Sequence, residues 1–206
     1  VQIFENSPAI SADIGKRTRV HTPEGSVSAE YCILATHSPI WGALVGGLGG
    51  MMDGLSLSHL QLSAKRTYVL AAKLKTPTLL EGIYWDLSHP YHYLRSVGDE
   101  LWVGGLDHHA GKSERSSADL IRQLEDYTRS RFEVQDITRT WSGQILEPYD
   151  GLPLVGSSLR SKKILFATGF GGNGLSMASL AASELCNLAL ENHSELGNML
   201  SPHRLP

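Results

Sequence analysis

Cysteine is scarce: Cys32 and Cys186 are the two in the chain. Two thiols cannot build a disulfide framework or a Cys-based zinc site. Both sit among apolar residues and are expected to be buried thiols. Charge is thin as well. Charged residues make up 19% of the chain, below the roughly 25% of an ordinary globular domain. There is no run of Lys or Arg, and the net charge is −3. These lacks exclude a nucleic-acid binder driven by its own charge and a basic membrane-surface patch. The opening VQIFE has no basic region and no long apolar stretch, so it is not a secretory leader, and a cytoplasmic setting is expected. It also lacks Met and reads like the inside of a strand, so the chain is expected to begin mid-protein.

Residues 32–52 carry no formal charge and approach membrane-spanning length. Thr36, His37, Ser38 and Pro39 interrupt the run and no basic flank follows. The better reading is a strand followed by a glycine-rich loop, with no membrane partner.

Apolar residues and glycine are what the chain does have. Hydrophobic residues at 41% exclude a disordered chain. A chain of 206 residues buries about 70% of its unfolded surface and needs no covalent staples. There are 21 glycines, above the roughly 7% norm.

Local patterns predict the elements. A weak alternation over 1–4 suggests a strand. Residues 17–21 and 26–30 flank Thr22-Pro-Glu-Gly25, a turn signal that predicts a hairpin. YCILA (31–35) reads as a buried strand, and 37–60 as loop. Strands are predicted over 66–74, 82–87, 91–97 and 101–105, with turn residues between them, in an antiparallel sheet. Residues 117–132 form the best helix, capped by Ser116 or Ser117, with Leu120, Ile121, Leu124, Tyr127 and Phe132 on its apolar side. Extended chain resumes over 134–142. A turn-rich loop follows over 148–156, then a buried strand KILFA (163–167) and a second helix over 175–191. The tail from 193 reads as irregular.

Between that late strand and helix lies Gly169-Phe-Gly171-Gly172-Asn173-Gly174. Glycines let a backbone turn sharply and approach a ligand closely. A helix start then aims N–H donors and a positive dipole end at negative charge. A dinucleotide fingerprint would need a further strand and an acidic ribose ligand about 20 residues on. The chain ends too soon for that, so this is a last strand and helix of a sheet, touching a cofactor held mostly by other parts.

Three stretches together are recognisable: WSGQILEPYDGLPLVG (141–156), ILFATGFGGNGLSMASLAA (164–182) and TPEGSVSAEYCILATHSPI (22–40). They resemble the FAD-dependent oxidoreductases of the D-amino-acid oxidase and glycine oxidase superfamily. WDLSHPYHYLR (85–95) and VGGLDHHAGK (103–112) are similar to a subgroup often fused to a Rieske iron–sulfur domain. The resemblance implies an α+β protein, a mostly antiparallel substrate-domain sheet plus the C-terminal segments of an FAD-binding α/β domain. Residues 1–36 and 148–192 would belong to the FAD domain, 37–147 to the substrate domain, and 193–206 would be a tail.

The resemblance also implies roles. Thr36, Gly151, Leu152, Pro153, Gly169, Gly171, Gly172, Asn173 and Gly174 would lie along FAD. The bend would face the flavin's pyrimidine edge, where negative charge gathers on reduction. Tyr91, Tyr93, Arg95 and Gln144 would meet a small-molecule substrate. Family members commonly place an Arg where Gln144 stands, and Gln144 cannot grip a carboxylate as a bidentate cation does. No catalytic base is assigned. The implied reaction is hydride transfer from a C–N or C–H substrate to flavin, with a Rieske domain or another electron acceptor in the parent protein. The 206 residues alone are expected to be inactive and to hold FAD weakly.

Two other readings stay open: a non-catalytic binding module of the same fold, and a metal site built from His89, His92, Asp107, His108 and His109. Spacing argues against the metal. Residues three apart on a strand face opposite ways, and adjacent ones diverge. A serine hydrolase is disfavoured because Trp141-Ser142-Gly143 lacks the first glycine of a nucleophile elbow.

Overall fold

Alternation builds one part of the molecule and continuous apolar runs build the other. The structure, a computed structural model, describes residues 1–37, 62–111, 115–158, 161–192 and 194–204. It divides into two compact units, Val1–Ser63 with Leu146–Pro206, and Ala64–Ile145.

In the first unit, β1 (Ser11–Asp13), β2 (Thr18–Thr22) and β3 (Gly25–Ala29) form an antiparallel sheet. Pro23 and Glu24 make the turn, and Thr22 pairs with Gly25 across it, as the Pro-Glu-Gly signal predicts. The second sheet has the order β10-β11-β4, with β10 (Leu154–Ser157), β11 (Ile164–Thr168) and β4 (Cys32–Leu34). β10 runs antiparallel to β11, and β11 runs parallel to β4 in the register Ile164↔Cys32, Leu165↔Ile33, Phe166↔Leu34. Every residue of β11 is buried, as a middle strand covered on both faces must be. Helix α2 (Gly174–Ala189) packs Ala181 and Leu185 onto Val155, Leu165 and Ala167, and α3 (Glu195–Leu200) adds Leu200 to the same cluster.

The second unit is built on a five-stranded sheet, order β6-β7-β8-β5-β9. Its strands are β5 (Leu62–Leu74), β6 (Ile83–Trp85), β7 (His92–Val97), β8 (Glu100–His109) and β9 (Val134–Pro148). Alternate residues Tyr68, Leu70 and Ala72 of β5 and Leu101 and Val103 of β8 turn one way. They meet Leu120 and Leu124 of α1 (Ser117–Arg129) in one core. The helix begins where Ser116 Oγ accepts the Asp119 N–H at 3.1 Å, and Ile121, Tyr127 and Phe132 pack at the rim of that core. The protein is thus α+β with mostly antiparallel sheets.

Several expectations need correction. Residues 1–4 form no strand, and Val1, Ile3 and Phe4 are exposed; alternation without a partner strand does not make one. YCILA is a strand only over Cys32–Leu34, and Ile33 is 48% exposed, because among the described residues β4 has a neighbour on one side alone. The stretch 148–156 is not all loop, since β10 takes its second half to pair with β11. The tail is ordered: α3 is followed by a 3₁₀ turn, Pro202–Arg204. Cys32 is half-buried and Cys186 exposed. Helical spacing in α2 buries Ala181, Glu184 and Leu185 and leaves position 186 outward. The loop expected over 37–60 lies outside the described residues from 38 onward. Among the described residues no helix is long and apolar enough to cross a membrane.

Candidate functional site

The parallel pairing of β11 with β4 decides what lies together. Both strands end at the same edge of the sheet. Extending the register beyond Phe166↔Leu34 places Thr36 beside Thr168, and the buried Thr168 hydroxyl donates to the His37 carbonyl at 2.6 Å. Gly169 follows at once. In open α/β sheets, ligands lie outside the carboxyl ends of parallel strands.

The bend is built for close approach. Gly169 has φ +75°, and a Cβ there would sit 2.5 Å from Pro148 Cγ. Gly171 has φ +54°, and its N–H donates to the Leu146 carbonyl at 3.0 Å. These two contacts seat the bend on residues 146–148, directly before the Asp150-Gly151-Leu152-Pro153 turn. In that turn the Leu152 N–H donates to Asp150 Oδ1 at 3.2 Å and the Gly151 N–H to the Pro148 carbonyl at 3.0 Å.

Gly172 and Gly174 differ from Gly169. A Cβ at either would meet no atom of the described residues within 4 Å, so packing among them does not require glycine there. The Asn173 side chain makes no capping bond to α2, and the helix has no acidic residue in its first turn. Among the described residues, neither a side-chain cap nor a first-turn carboxylate of the helix itself answers its leading N–H groups and positive dipole end. Leu175, in the first turn of α2, and Tyr149, directly before the Asp150 turn, are both 88% exposed. This donor set fits the electron-rich pyrimidine edge of a flavin, and the described residues leave the space beside Gly172 and Gly174 open.

In the second unit, Tyr91, Tyr93 and Arg95 fall on alternate positions. The Tyr91 and Tyr93 rings lie 6.2 Å apart, and the Tyr91 hydroxyl donates to Asp107 Oδ2 at 3.3 Å. Asp107 Oδ1 is buried and finds no hydrogen-bond partner among the described residues. Burial pushes the Tyr93 phenol pKa up, the Thr67 hydroxyl pulls it down, and the Asp107 charge raises it again. Arg95 pairs in register with Trp102, which meets Trp141 edge-on at 5.0 Å. Gln144 is exposed, and strand alternation sets it on the face opposite Trp141 and Gly143.

The histidines part company. His92 is buried and its Nδ1 lies 2.9 Å from Asp86 Oδ2. Its ring stacks on Tyr127 at 3.8 Å, and the Arg131 guanidinium lies over the same Tyr127 ring. His108 stacks on Tyr68, while His89 and His109 are exposed. Burial works against the Asp86 charge, but hydrogen bonds from His92 and Ser88 outweigh it and hold this carboxyl well below the usual range. Among the described residues no three His, Cys, Asp or Glu side chains group as metal ligands.

Arg204 and the buried Glu184 were not legible in the sequence. Arg204 grips Asp150 across 54 positions, and no spacing rule signals such a pair.

The model of the DAO family, described as FAD dependent oxidoreductase, matches residues 1–188. The chain belongs to this family. A Bacillus subtilis (strain 168) protein named as a Rieske 2Fe-2S iron-sulfur protein, YhfW, is 28% identical over 211 residues, covering 98% of this chain and 38% of its own length. Glycine oxidase of Bacillus licheniformis is 26% identical over 200 residues, covering 92% of this chain and 49% of that protein. The chain thus spans half or less of the length of these DAO-family relatives. Among solved structures, L-proline dehydrogenase from P. horikoshii superposes with a TM-score of 0.74 at 17% identity, over 97% of this chain and 54% of that one. That likeness concerns the fold alone.

Proposed function

We propose that the full-length protein is an FAD-dependent oxidoreductase acting on a small amino-acid-like substrate at a C–N or C–H bond. The observation that carries this reading is the parallel β11–β4 pairing, which gathers Thr36 and the Gly169–Gly174 bend at one sheet edge. Bound FAD would supply the two-electron acceptor for a substrate hydride. The protein's part is positioning and electrostatics. The start of α2 and the N–H groups of Gly172 and Gly174 would stabilise negative charge at the pyrimidine edge, while the Asn173 N–H is spent on the Phe170 carbonyl at 3.1 Å. Gly151, Leu152 and Pro153 would border the ring, and Thr36 would lie beside it.

Residues 1–36 and 148–192 serve the FAD domain, and 37–147 serve the substrate. Tyr91, Tyr93 and Arg95 are the polar substrate contacts. Gln144 stands in place of a carboxylate-gripping cation and offers the substrate neutral hydrogen bonds instead. The name of YhfW supports an iron–sulfur partner as electron acceptor. The setting is the cytoplasm, with no nucleic acid as partner.

The test is the visible spectrum of the purified full-length protein. We expect the absorption bands of an oxidised flavin, bleached under anaerobic conditions by a glycine- or proline-like amine. A colourless protein that takes up no FAD would remove the reading.

A further inference from the structure

The C-terminal segment does more than trail from α2. It is fastened at four points, all beyond the residues the family model matches. The Ser194 hydroxyl caps α3 by accepting the Gly197 N–H and donates to the buried Glu184 Oε2 at 2.7 Å. Leu200 is 2% exposed in the sheet–helix core. Pro202 packs where a side chain on Gly156 of β10 would otherwise stand. Arg204 closes the segment.

The Arg204 guanidinium uses its whole donor fork. Nε donates to Asp150 Oδ2 at 2.8 Å and Nη2 to Asp150 Oδ1 at 3.0 Å. Nη2 also donates to the Leu152 carbonyl at 2.7 Å. Nη1 donates to the Pro153 and Ser201 carbonyls at 3.2 and 3.1 Å. The Arg204 side chain is only 14% exposed, so this is not a loose surface pair. Bidentate pairing of this kind fixes geometry as well as charge.

The turn at 150–153 does not need such a grip merely to form. It already has the Asp150–Leu152 bond and the Gly151–Pro148 bond. What Arg204 adds is direction. It draws one carboxylate and two carbonyls, all electron-rich, to a single cation, while Gly151 keeps open space where a Cβ would point. The same turn follows directly on Pro148, against which Gly169 is seated.

We infer that Arg204 is a positioning residue for the flavin: through Asp150, Leu152 and Pro153 it holds the 150–153 turn in the one conformation that receives FAD. The inference rests on the proposed function. Without the clamp, the turn keeps its local bonds but samples orientations that bring oxygen atoms toward the anionic edge of the reduced flavin. Binding then carries the ordering cost that the clamp removes in advance. Arg204 in turn holds the Asp150 carboxyl below its usual range, against the opposing effect of burial.

The experiment uses the full-length protein and three variants, Arg204→Ala, Arg204→Lys and Asp150→Asn. FAD dissociation constants are measured by titration of FAD-stripped protein, and flavin reduction potentials by equilibration with a reference dye. Arg204→Ala and Asp150→Asn are each expected to weaken FAD binding about tenfold and to make the bound flavin harder to reduce. Arg204→Lys keeps the charge but not the fork, and is expected to fall in between. It also serves if the alanine variant does not fold. If the Lys variant, or a folded Ala variant, matches the parent within twofold in affinity and in potential, the inference is overturned and the proposed function stands. A fall in the melting temperature of the stripped protein, with affinity and potential unchanged, overturns it equally. If the parent itself takes up no FAD, the proposed function fails, and the inference with it.

Discussion

Replacing Gly172 with leucine is expected to weaken FAD binding by the full-length protein about a hundredfold or more, with a melting temperature within about 2 °C of the parent. The two halves of this expectation have separate causes. Gly172 lies outside the left-handed region, and a Cβ built on it meets nothing within 4 Å. An exposed leucine there strains no backbone and displaces no packed atom, so folding has little to lose. The space it enters is the space assigned to the flavin edge, and a ring cannot share it with a branched side chain. Gly169 could not serve for this test. Its positive φ and the 2.5 Å approach to Pro148 would mix folding damage into the result. Titration of stripped protein with FAD, beside a thermal melt, measures both quantities. Unchanged affinity would remove the bend from the cofactor site.

The largest loss of stability is expected from Phe166→Ala. Phe166 is 0% exposed in the middle strand of the β10-β11-β4 sheet, paired with Gly156 on one side and Leu34 on the other. Leu165 and Ala167 face the helices α2 and α3, so alternation sends Phe166 to the opposite face. Truncating a fully buried phenylalanine leaves a cavity that rigid strands cannot close, at a cost of about 3–5 kcal/mol. Urea unfolding of the full-length protein measures it. A loss below about 1 kcal/mol would mean that this strand is not the centre of its sheet. Since β11 carries the bend at its end, the variant should also lose FAD, whereas Gly172→Leu loses FAD alone.

The legible features were those whose causes are local. KILFA is apolar throughout, and β11 is buried throughout. Pro23 and Glu24 made the hairpin they signal, and Ser116 capped the helix that its position predicts. The glycine bend was readable because six consecutive positions spell it. Its meaning was not readable from those positions alone, since that depends on β4 lying parallel to β11 from more than a hundred residues away. The order of the motifs, through the family resemblance, supplied that expectation.

Other features depend on partners that local pattern cannot name. Cys186 lies in a helix of mostly small and apolar residues and is expected inside, yet helical phase puts it outside. Residues 1–4 alternate but have no strand to join. Four of the nine histidines crowd the sequence near 89–109, and the fold disperses them: His108 stacks on Tyr68, His92 stacks on Tyr127 and pairs with Asp86, and His89 and His109 are exposed. The tail looked irregular because α3 is short and Pro202 interrupts it. Its order comes from Glu184, ten residues before Ser194, and from Gly156 and Asp150, which are far off in sequence.

Hydrogen–deuterium exchange of the full-length protein, with FAD and after FAD removal, tests the centre of this account most directly. The cofactor is expected to slow exchange in peptides covering residues 169–176 and, more weakly, 150–153. If the protein binds FAD and those peptides exchange at the same rate in both states, the bend does not face the flavin and the account is wrong.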